Sequence, residues 1–419
     1  MRGGLQAVAL CDTIEAMIEL LDPVFRALRL LILAFPIWGP LFVVAVFVRV
    51  WIRYVQLKTI AGKEYVLLEV RLPQEVHRSP KAMELLLNAF HNPGEMGTWV
   101  KKYWKGNVVP WASLEIASFG GSIHFYVRIE KIFRVWVESQ IYAQFPDAEI
   151  FEVEDYTMNI AYNENEYSMW IAEFKLTDPD PYPIATYVDY GLDKDPKEEQ
   201  KVDPMTPMLE YFGAIQEGAQ VWVQFVIRHH QKSPKGPWWK FEDTDKWKDD
   251  AKKEIEKIKK EGTIEGGDGE GDKIALTPGQ RDKIEALERS IKKPAFDVGI
   301  RGAYIAKEDV FQKPQIGALI NSFKQYSTAG YNGFKPNNVP GGQYPWSFIA
   351  NRREESDKKG LLQAYRARGF FHPPYKSEWV VLNTEELATV YHFPGRIAQT
   401  ATLPRIDSRK AEPPTNLPI

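Results

Sequence analysis

The longest uncharged run of this chain lies near its N-terminus and sets the first limit on its fold. From Leu30 to Val48 the chain reads LLILAFPIWGPLFVVAVFV, without a charged residue. A run of this length suits a helix that crosses the hydrocarbon core of a bilayer, and a buried helix of a soluble protein rarely has one. Pro36, Gly39 and Pro40 interrupt the run, so we expect a kink or a break, which membrane helices tolerate. The sequence therefore predicts one transmembrane anchor within residues 1–63.

The charges on either side of this run predict its orientation. Four basic residues follow it closely and two precede it: Arg49, Arg53, Lys58 and Lys63 after it, Arg26 and Arg29 before it. The positive-inside rule then puts the C-terminal bulk in the cytoplasm, on a single-pass anchor in the inner (plasma) membrane. A cleaved signal peptide is disfavoured, because the stretch before the run is acidic instead of basic. The single cysteine, Cys11, fits a reducing compartment and excludes an internal disulfide framework.

After the anchor, residues 64–160 alternate between strand and helix periodicity. The predicted elements, in order, are a strand from Tyr65 to Leu72, a helix opened by Ser79-Pro80, strands from Trp111 to Phe119 and from Ser122 to Ile129 joined by Gly120-Gly121, a helix from Phe133 to Ile141, and a strand from Ala148 to Val153. The order β-α-β-β-α-β is the ferredoxin-like pattern. In the first strand, alternation places Glu69 and Arg71 on the polar side.

The same order recurs in residues 161–395, with a long insertion. Its predicted elements are strands at Met169 to Leu176, Val221 to Ile227, Phe296 to Tyr304 and Trp379 to Leu382, and helices at Thr206-Pro207 and at Ile316 to Phe323. The charged insertion covers about residues 232–293, and its glycine- and acid-rich centre is too polar to order itself. Thr277-Pro278-Gly279-Gln280 predicts a capped helix start. We therefore expect an α+β chain of two ferredoxin-like units after the anchor, followed by an extended tail in residues 396–419.

The soluble part carries no motif for a known chemistry. It has no phosphate-binding loop, dinucleotide fingerprint, zinc-protease, nucleophile-elbow or paired-cysteine motif, so no catalytic residue, cofactor or metal is predicted. The adjacent His229 and His230 point to opposite faces of a strand, a poor geometry for a metal. The acidic group Glu149, Glu152 and Glu154-Asp155 is better explained as a solvated edge than as an acid–base pair.

One aromatic and basic segment is the candidate contact site. Its residues are Trp99, Lys101, Lys102, Tyr103, Trp104 and Lys105. This composition suits a stacking surface for single-stranded nucleic acid, or a loop at the lipid headgroups, where tryptophan and tyrosine collect. A third interpretation, which we favour, packs the rings under a loop while the lysines face water. The net charge of −3 gives no long-range attraction to nucleic acid, so direct DNA contact is not supported by it.

Several stretches resemble one family. They are LLEVRLPQEVHRSPKAMELLLNAF (67–90), PWASLEIASFGGSIHFYVR (110–128), VESQIYAQFPDAEIFEVEDY (137–156), DPYPIATYVDYGLDKDPKEEQKVDPMTPMLEYF (180–212), VLNTEELATVYHFPG (381–395) and SRKAEPPTNLP (408–418). Together they resemble the N-terminal, membrane-proximal region of bacterial FtsK/HerA-like and type IV secretion coupling ATPases. In that family the motif near Pro413-Pro414 leads into the ATPase motor. No position in this chain matches the ATP-binding residues of that motor.

The resemblance implies a non-enzymatic, membrane-anchored component of a DNA- or protein-translocation machine of the type IV secretion or conjugation kind. Its partners would be the lipid bilayer and a cytoplasmic ATPase of the FtsK/HerA type. The alternative is a membrane-tethered protein that binds single-stranded nucleic acid, and a third hypothesis is a membrane-bound hydrolase. The sequence leaves open the translocated substrate, the identity of the partner, and whether the chain forms a homo-oligomer.

Overall fold

The computed structural model describes residues 23, 26, 29–30, 32–73, 79–91, 100–101, 104–160, 162, 166–193, 202–235, 242–264, 273–274, 276–328, 330–341 and 347–395. The chain divides into two compact units. One comprises residues 1–62 with 97–108, and the other comprises residues 63–96 with 109–419. We call the second one the sheet domain.

The first unit contains the apolar helix. Helix α1 spans Phe35–Ala61 and places Pro36 in its first turn, while Pro40 lies inside it. Among the described residues it is the one helix long and apolar enough to cross a membrane, with a mean hydropathy of 1.9. Its 27 residues give a length of about 40 Å, more than the roughly 30 Å of hydrocarbon core. The chain turns at Ala34, before the prolines, and α1 itself continues through Pro40.

The sheet domain contains the strands and the remaining helices. The strands are β1 Tyr65–Arg71, β2 Ala112–Phe119, β3 Ser122–Glu130, β4 Glu149–Val153, β5 Tyr167–Leu176, β6 Ala219–His229, β7 Ser233–Lys235, β8 Glu242–Thr244, β9 Thr263–Ile264, β10 Lys273–Ile274, β11 Ala295–Lys307, β12 Phe334–Asn337 and β13 Val380–Asn383. The helices are α2 Pro80–Phe90, α3 Arg134–Gln144, α4 Thr206–Gly213, α5 Lys246–Glu261, α6 Pro278–Lys292, α7 Lys313–Asn321, α8 Ser347–Ala367 and α9 Thr384–Val390.

Nine of these strands form one antiparallel sheet in the order β12-β5-β11-β6-β2-β3-β1-β4, with β13 paired to β11. The prediction of two separate ferredoxin-like units is therefore not confirmed. The two halves join because β2 pairs with β6 along its whole length, from Ala112↔Ile227 to Phe119↔Gln220. This pairing removes two sheet edges whose backbone N–H and C=O groups would otherwise have no partner strand.

The predicted closing strand occupies a different place from the one expected. β13, which contains most of the predicted Trp379 to Leu382 strand, pairs with the first residues of β11, from Ala295 to Val298. β5 pairs with the rest of β11 on the same side, and β12 lies beyond β5. β11 can serve both partners because it is 13 residues long. The four-residue β12 contains Pro336 and has no alternating pattern, so the sequence did not predict it.

Several local predictions are confirmed. Gly120 and Gly121 form the turn between β2 and β3, both with positive φ. Ser79 caps α2 by accepting a hydrogen bond from the N–H of Lys81. Thr277 and Gln280 form the expected capping box of α6. These signals succeed because a cap or a two-residue turn depends on neighbours in the sequence and on little else.

The two faces of the sheet pack against different helices. The first face is apolar and meets α2, α3, α4, α7 and α9 through one large cluster that includes Leu68, Phe125, Val223 and Leu319. The second face meets the C-terminal half of α8 through a smaller cluster around Trp222. In the insertion, α5 and α6 pack on each other through four side chains, Ile255, Ile258, Ile284 and Leu287. The second face carries a row of buried charged side chains on the strands themselves.

Candidate functional site

The structure describes only part of the candidate contact segment. Trp99, Lys102 and Tyr103 lie outside the described residues. Lys101, Trp104 and Lys105 belong to the same compact unit as α1. The ring of Trp104 lies 5.9 Å from that of Trp51 in α1 (centroid to centroid), and 68% of the Trp104 side chain is exposed. The indole therefore rests partly on α1 and is not buried beneath a loop.

The backbone of this segment is also tied to α1. The hydroxyl of Thr59 donates a hydrogen bond of 2.9 Å to the carbonyl of Lys105. Gly106 has φ +67°, and a Cβ at this position would lie 2.6 Å from the carbonyl of Val55. Only glycine allows so close an approach. The described part of the segment thus runs along the last turns of the apolar helix, where aromatic rings are typical of the lipid headgroup region.

In the sheet domain, a row of directly paired residues crosses the second face from edge to edge. Strand register places them in the order Asn337, Glu173, Arg301, Gln224, Glu115, Tyr126, Glu69 and Phe151. Paired residues of neighbouring strands point to the same face. Five of the row's polar residues are almost fully buried: Glu173, Arg301, Gln224, Glu115 and Glu69. We call these five residues the polar row.

At the centre of the polar row, Glu115 is neutralised by Arg368, which follows α8. The two side chains are fully buried, and Arg368 donates hydrogen bonds of 2.9 and 3.1 Å to the two carboxylate oxygens of Glu115. Arg368 also bonds Asp155, with one contact of 3.0 Å. The hydroxyl of Tyr156 donates to Glu115 at 2.7 Å. Such a bidentate, hydrogen-bonded pair is the geometry in which a buried charge is best satisfied.

The backbone of Arg368 is unusual for an arginine. Its φ is +49°, a left-handed conformation that normally falls to glycine at the end of a helix. The N–H of Arg368 bonds the carbonyl of Tyr365, and that of Gly369 bonds the carbonyl of Ala364, which is the Schellman pattern. An L side chain costs about 1–2 kcal/mol in this conformation. The ion pairs of the guanidinium offset that cost.

The next residues of the polar row hold the C-terminal carbonyls of α8. Gln224 donates a hydrogen bond to the carbonyl of Tyr365 at 3.1 Å, and Arg301 donates to that of Ala364 at 3.2 Å. Arg301 is itself paired with Glu173 at 2.9 Å. The last carbonyls of a helix lack partners within the helix and carry a partial negative charge. The polar row therefore supplies the donors that fix the end of α8 on the sheet.

A second ion pair lies nearer the end of the sheet. Arg228 bonds Asp297 at 2.9 Å, and its guanidinium stacks over the rings of Phe371 and Trp379 at 4.2 and 4.8 Å. His230 shares the same carboxylate, with 2.6 Å between its Nδ1 and Asp297. These contacts bind the segment after α8 to β6 and β11.

The pairings set the protonation states. Burial opposes the charge of Glu115, but the charge and hydrogen bonds of Arg368 outweigh it and lower the pKa of Glu115 below its usual value. The same balance lowers the pKa of Asp155. Burial also works against the charge of His230, yet Asp297 raises the pKa of that imidazole. At neutral pH Glu115 and Asp155 are therefore ionised, and both lie against the guanidinium of Arg368.

The structure separates the predicted acidic group. Glu149 and Glu152 in β4 and Glu154 just after it are exposed, as a solvated edge requires, whereas Asp155 is half-buried on Arg368. Glu69, expected on the polar side of β1, is on that side but buried, and it bonds His124 at 2.6 Å. The polar side of β1 is therefore interior at Glu69, whereas Arg71 at the end of the strand is exposed.

The predicted split of the two adjacent histidines is also visible. The ring of His229 lies 4.3 Å from that of His91, whereas His230 bonds Asp297. Within the described part of the chain, no group of three histidine, cysteine or acidic side chains is placed to hold a metal ion.

The family model "Domain of unknown function (DUF8128)" matches residues 54–405. The chain belongs to this family. The DUF8128 match contains every strand of the nine-stranded sheet and every residue of the polar row. No curated protein matches the chain.

In this DUF8128 domain the polar row and Arg368 join the end of α8 to the sheet. Glu115, Arg301 and Arg368 have essentially no exposed surface, so their charged atoms are closed to a substrate in this conformation. The sequence contains a partial signal for Glu115, because this glutamate is the one charged residue of the otherwise apolar or small-residue strand β2. That pattern alone could not separate a buried polar face from a solvated one.

Proposed function

We propose that this chain is a non-enzymatic, membrane-anchored component that docks a cytoplasmic ATPase of the FtsK/HerA type in a translocation machine of the type IV secretion or conjugation kind. The anchor is a single pass in the inner (plasma) membrane, and the sheet domain lies in the cytoplasm. The observation that carries the proposal is the combination of α1 with a sheet domain whose central charges are consumed by internal pairs. Such a domain is suited to holding a partner at a membrane.

The two edges of the sheet differ in their ability to receive a partner. β12 is short, and Pro336 removes one of its backbone donors. β4 has no proline, and no described strand pairs with its outer side. An exposed edge strand can accept a strand from another protein through main-chain hydrogen bonds. β4 is therefore the docking edge that we propose for the ATPase.

A single substitution on β4 tests the docking edge. Phe151 is 40% exposed, and a lysine on an edge strand discourages pairing with another chain. We expect an ATPase to co-purify with the wild-type chain from native membranes, and Phe151→Lys to reduce its recovery. Met158→Lys adds the same charge at a site that is 68% exposed outside the strands, and it should leave recovery unchanged. Purifications that repeatedly recover no ATPase would remove the partner from the proposal.

The second candidate function is binding of single-stranded nucleic acid, and the exposed ring of Trp104 favours it. Bases stack on such rings, and the affinity falls with salt because bound counterions are released. A labelled oligonucleotide should then bind the purified chain in low salt, and Trp104→Ala should weaken this binding. An affinity for the oligonucleotide that changes neither with the salt concentration nor with the substitution would exclude this candidate.

We also infer that the sheet contains two copies of one β-α-β-β-α-β unit. The order β4-β1-β3-β2 in the first half has the same form as β12-β5-β11-β6 in the second. Each half adds its closing strand beside its first strand, which is the arrangement expected for the repeated unit. In this reading β13 is an addition to the second copy.

A further inference from the structure

The first face of the sheet contains a cavity of about 300 Å³. It lies where the end of α2 and the start of α3 cover the ends of β2, β3, β6 and β11. Most of its wall consists of aromatic and aliphatic side chains, namely Phe90, Ala112, Ile129, Phe133, Trp136, Val137, Ile227 and Phe296. An apolar cavity of about half this volume stays free of water and binds benzene. The cavity is therefore large enough for a hydrocarbon ligand.

The polar residues around the cavity offer no charge to a ligand. Arg228 directs its guanidinium to Asp297, and Glu130 is paired with Lys63 at 2.6 Å. Burial, with smaller contributions from the neighbouring His91 and His230, lowers the pKa of His229 to about 4, so the imidazole is neutral at physiological pH. A ligand with a carboxylate or phosphate inside the cavity would meet no free cation among these lining residues. The part of the ligand that enters is uncharged.

The rim of the cavity continues into exposed apolar side chains. Ile132 and Val135, on either side of the start of α3, are 82% and 77% exposed. Phe133 and Trp136 line the cavity and also reach the surface. Clusters of exposed apolar side chains mark surfaces that contact a membrane or another apolar partner. The cavity and its rim thus form one apolar surface.

We propose that this cavity takes one hydrocarbon chain of a membrane lipid, with the side chains at the start of α3 resting among neighbouring lipids. The proposal rests on the anchoring part of the proposed function. Only three residues separate the last residue of α1 from the first residue of β1, so a bilayer around α1 would be the apolar phase at highest effective concentration. Wall and ligand match in kind, because Arg228 and Glu130 are already paired and most of the remaining wall is apolar. The indole N–H of Trp111, which also lines the cavity, is buried without a hydrogen-bond partner among the described residues.

Photo-crosslinking from the lipid tests this proposal. The full chain is reconstituted into vesicles of phosphatidylethanolamine and phosphatidylglycerol that contain a phospholipid with a diazirine in its acyl chain, and the labelled peptides are mapped after illumination. We expect labelling in α1 and in residues 129–137. Ala112→Phe fills the cavity from β2 and should reduce the labelling of residues 129–137 by about tenfold or more. Ala143→Phe adds the same bulk on the exposed side of α3 and should leave it unchanged.

A second variant covers the case in which Ala112→Phe fails to fold. Ile132 and Val135 are exposed, so the double variant Ile132→Ser/Val135→Ser should keep the wild-type melting temperature while it lowers labelling of the same peptide. Labelling confined to α1, or labelling of residues 129–137 that persists in both variants, would overturn the lipid site and leave the anchor intact. Absence of label from α1 as well would overturn the anchor together with the site. A photoreactive residue at Trp136 that captures a protein and no lipid would assign the cavity to a protein partner instead.

Discussion

Removal of the Arg368 side chain is the most informative single perturbation of this domain. Arg368→Ala deletes the buried guanidinium that bonds both oxygens of Glu115 and also Asp155. It leaves the Glu115 carboxylate without its cation at a position that has no exposed surface. It also leaves the backbone in the left-handed conformation at φ +49°. The end of α8 would lose its tie to β2.

The loss of stability in Arg368→Ala follows from the Glu115 carboxylate, which stays buried without its cation. Removal of one partner of a buried ion pair typically costs about 3–5 kcal/mol, because the other charge stays desolvated. Arg368→Gly removes the same contacts but fits the left-handed backbone, so it should cost about 1 kcal/mol less than Arg368→Ala. Addition of Glu115→Gln to Arg368→Ala removes the unpaired charge, and the double variant should recover roughly 0.5–3 kcal/mol of the loss.

Urea unfolding of the full chain in detergent, followed by circular dichroism, measures these differences. Arg134→Ala is the control, because that arginine pairs with Glu138 and Glu152 at the surface, and it should leave the unfolding midpoint unchanged. The reasoning is wrong if Arg368→Ala costs less than about 1 kcal/mol, the range of an exposed pair. It is also wrong if Glu115→Gln worsens the stability of Arg368→Ala, since the carboxylate would then not be the stranded group.

Four further outcomes are expected. Gly299→Ala should lower the free energy of unfolding by about 1–3 kcal/mol, because its Cβ would lie 2.2 Å from the ring of Phe370. In a Phe370→Ala background the same substitution should cost less, and thermal melts of the single and double variants measure the difference. Burial opposes the charge of His392, but Asp203 raises the pKa of this imidazole above 6.5. His392→Gln should therefore lower the free energy of unfolding most below pH 6.5, and progressively less as the pH rises through the folded-state pKa. Urea midpoints at pH 6 and about pH 9 measure this difference. Replacement of residues 265–272 by Asn-Gly should keep the melting temperature within a few degrees, because a polar, glycine-rich stretch contributes little burial, and a larger drop would show that it packs. An alkaline-phosphatase fusion at the C-terminus should be inactive, and an active fusion would reverse the proposed orientation.

The sequence by itself determined the features that depend on near neighbours. The uncharged run located the apolar helix, alternation located most strands of the sheet, and Gly120-Gly121 located the β2–β3 turn. The caps at Ser79 and Thr277 were equally readable. Each of these signals lies within one continuous stretch of sequence and does not depend on contacts with distant parts of the chain.

Only the tertiary structure decided which polar face is interior. Glu69, Glu115 and Glu173 lie on three different strands, each at a position that would suit a solvated sheet face equally well. Glu115 is buried because two halves of the chain join at β2 and β6, and because α8 and the following Arg368 cover this part of the shared face. The cation that neutralises Glu115 is Arg368, 253 residues further along the chain. Alternation in a strand shows that one of its sides is polar. The polar groups on that side can be satisfied by water or by an arginine from a distant segment. Which of the two occurs depends on the segments that the whole fold brings together.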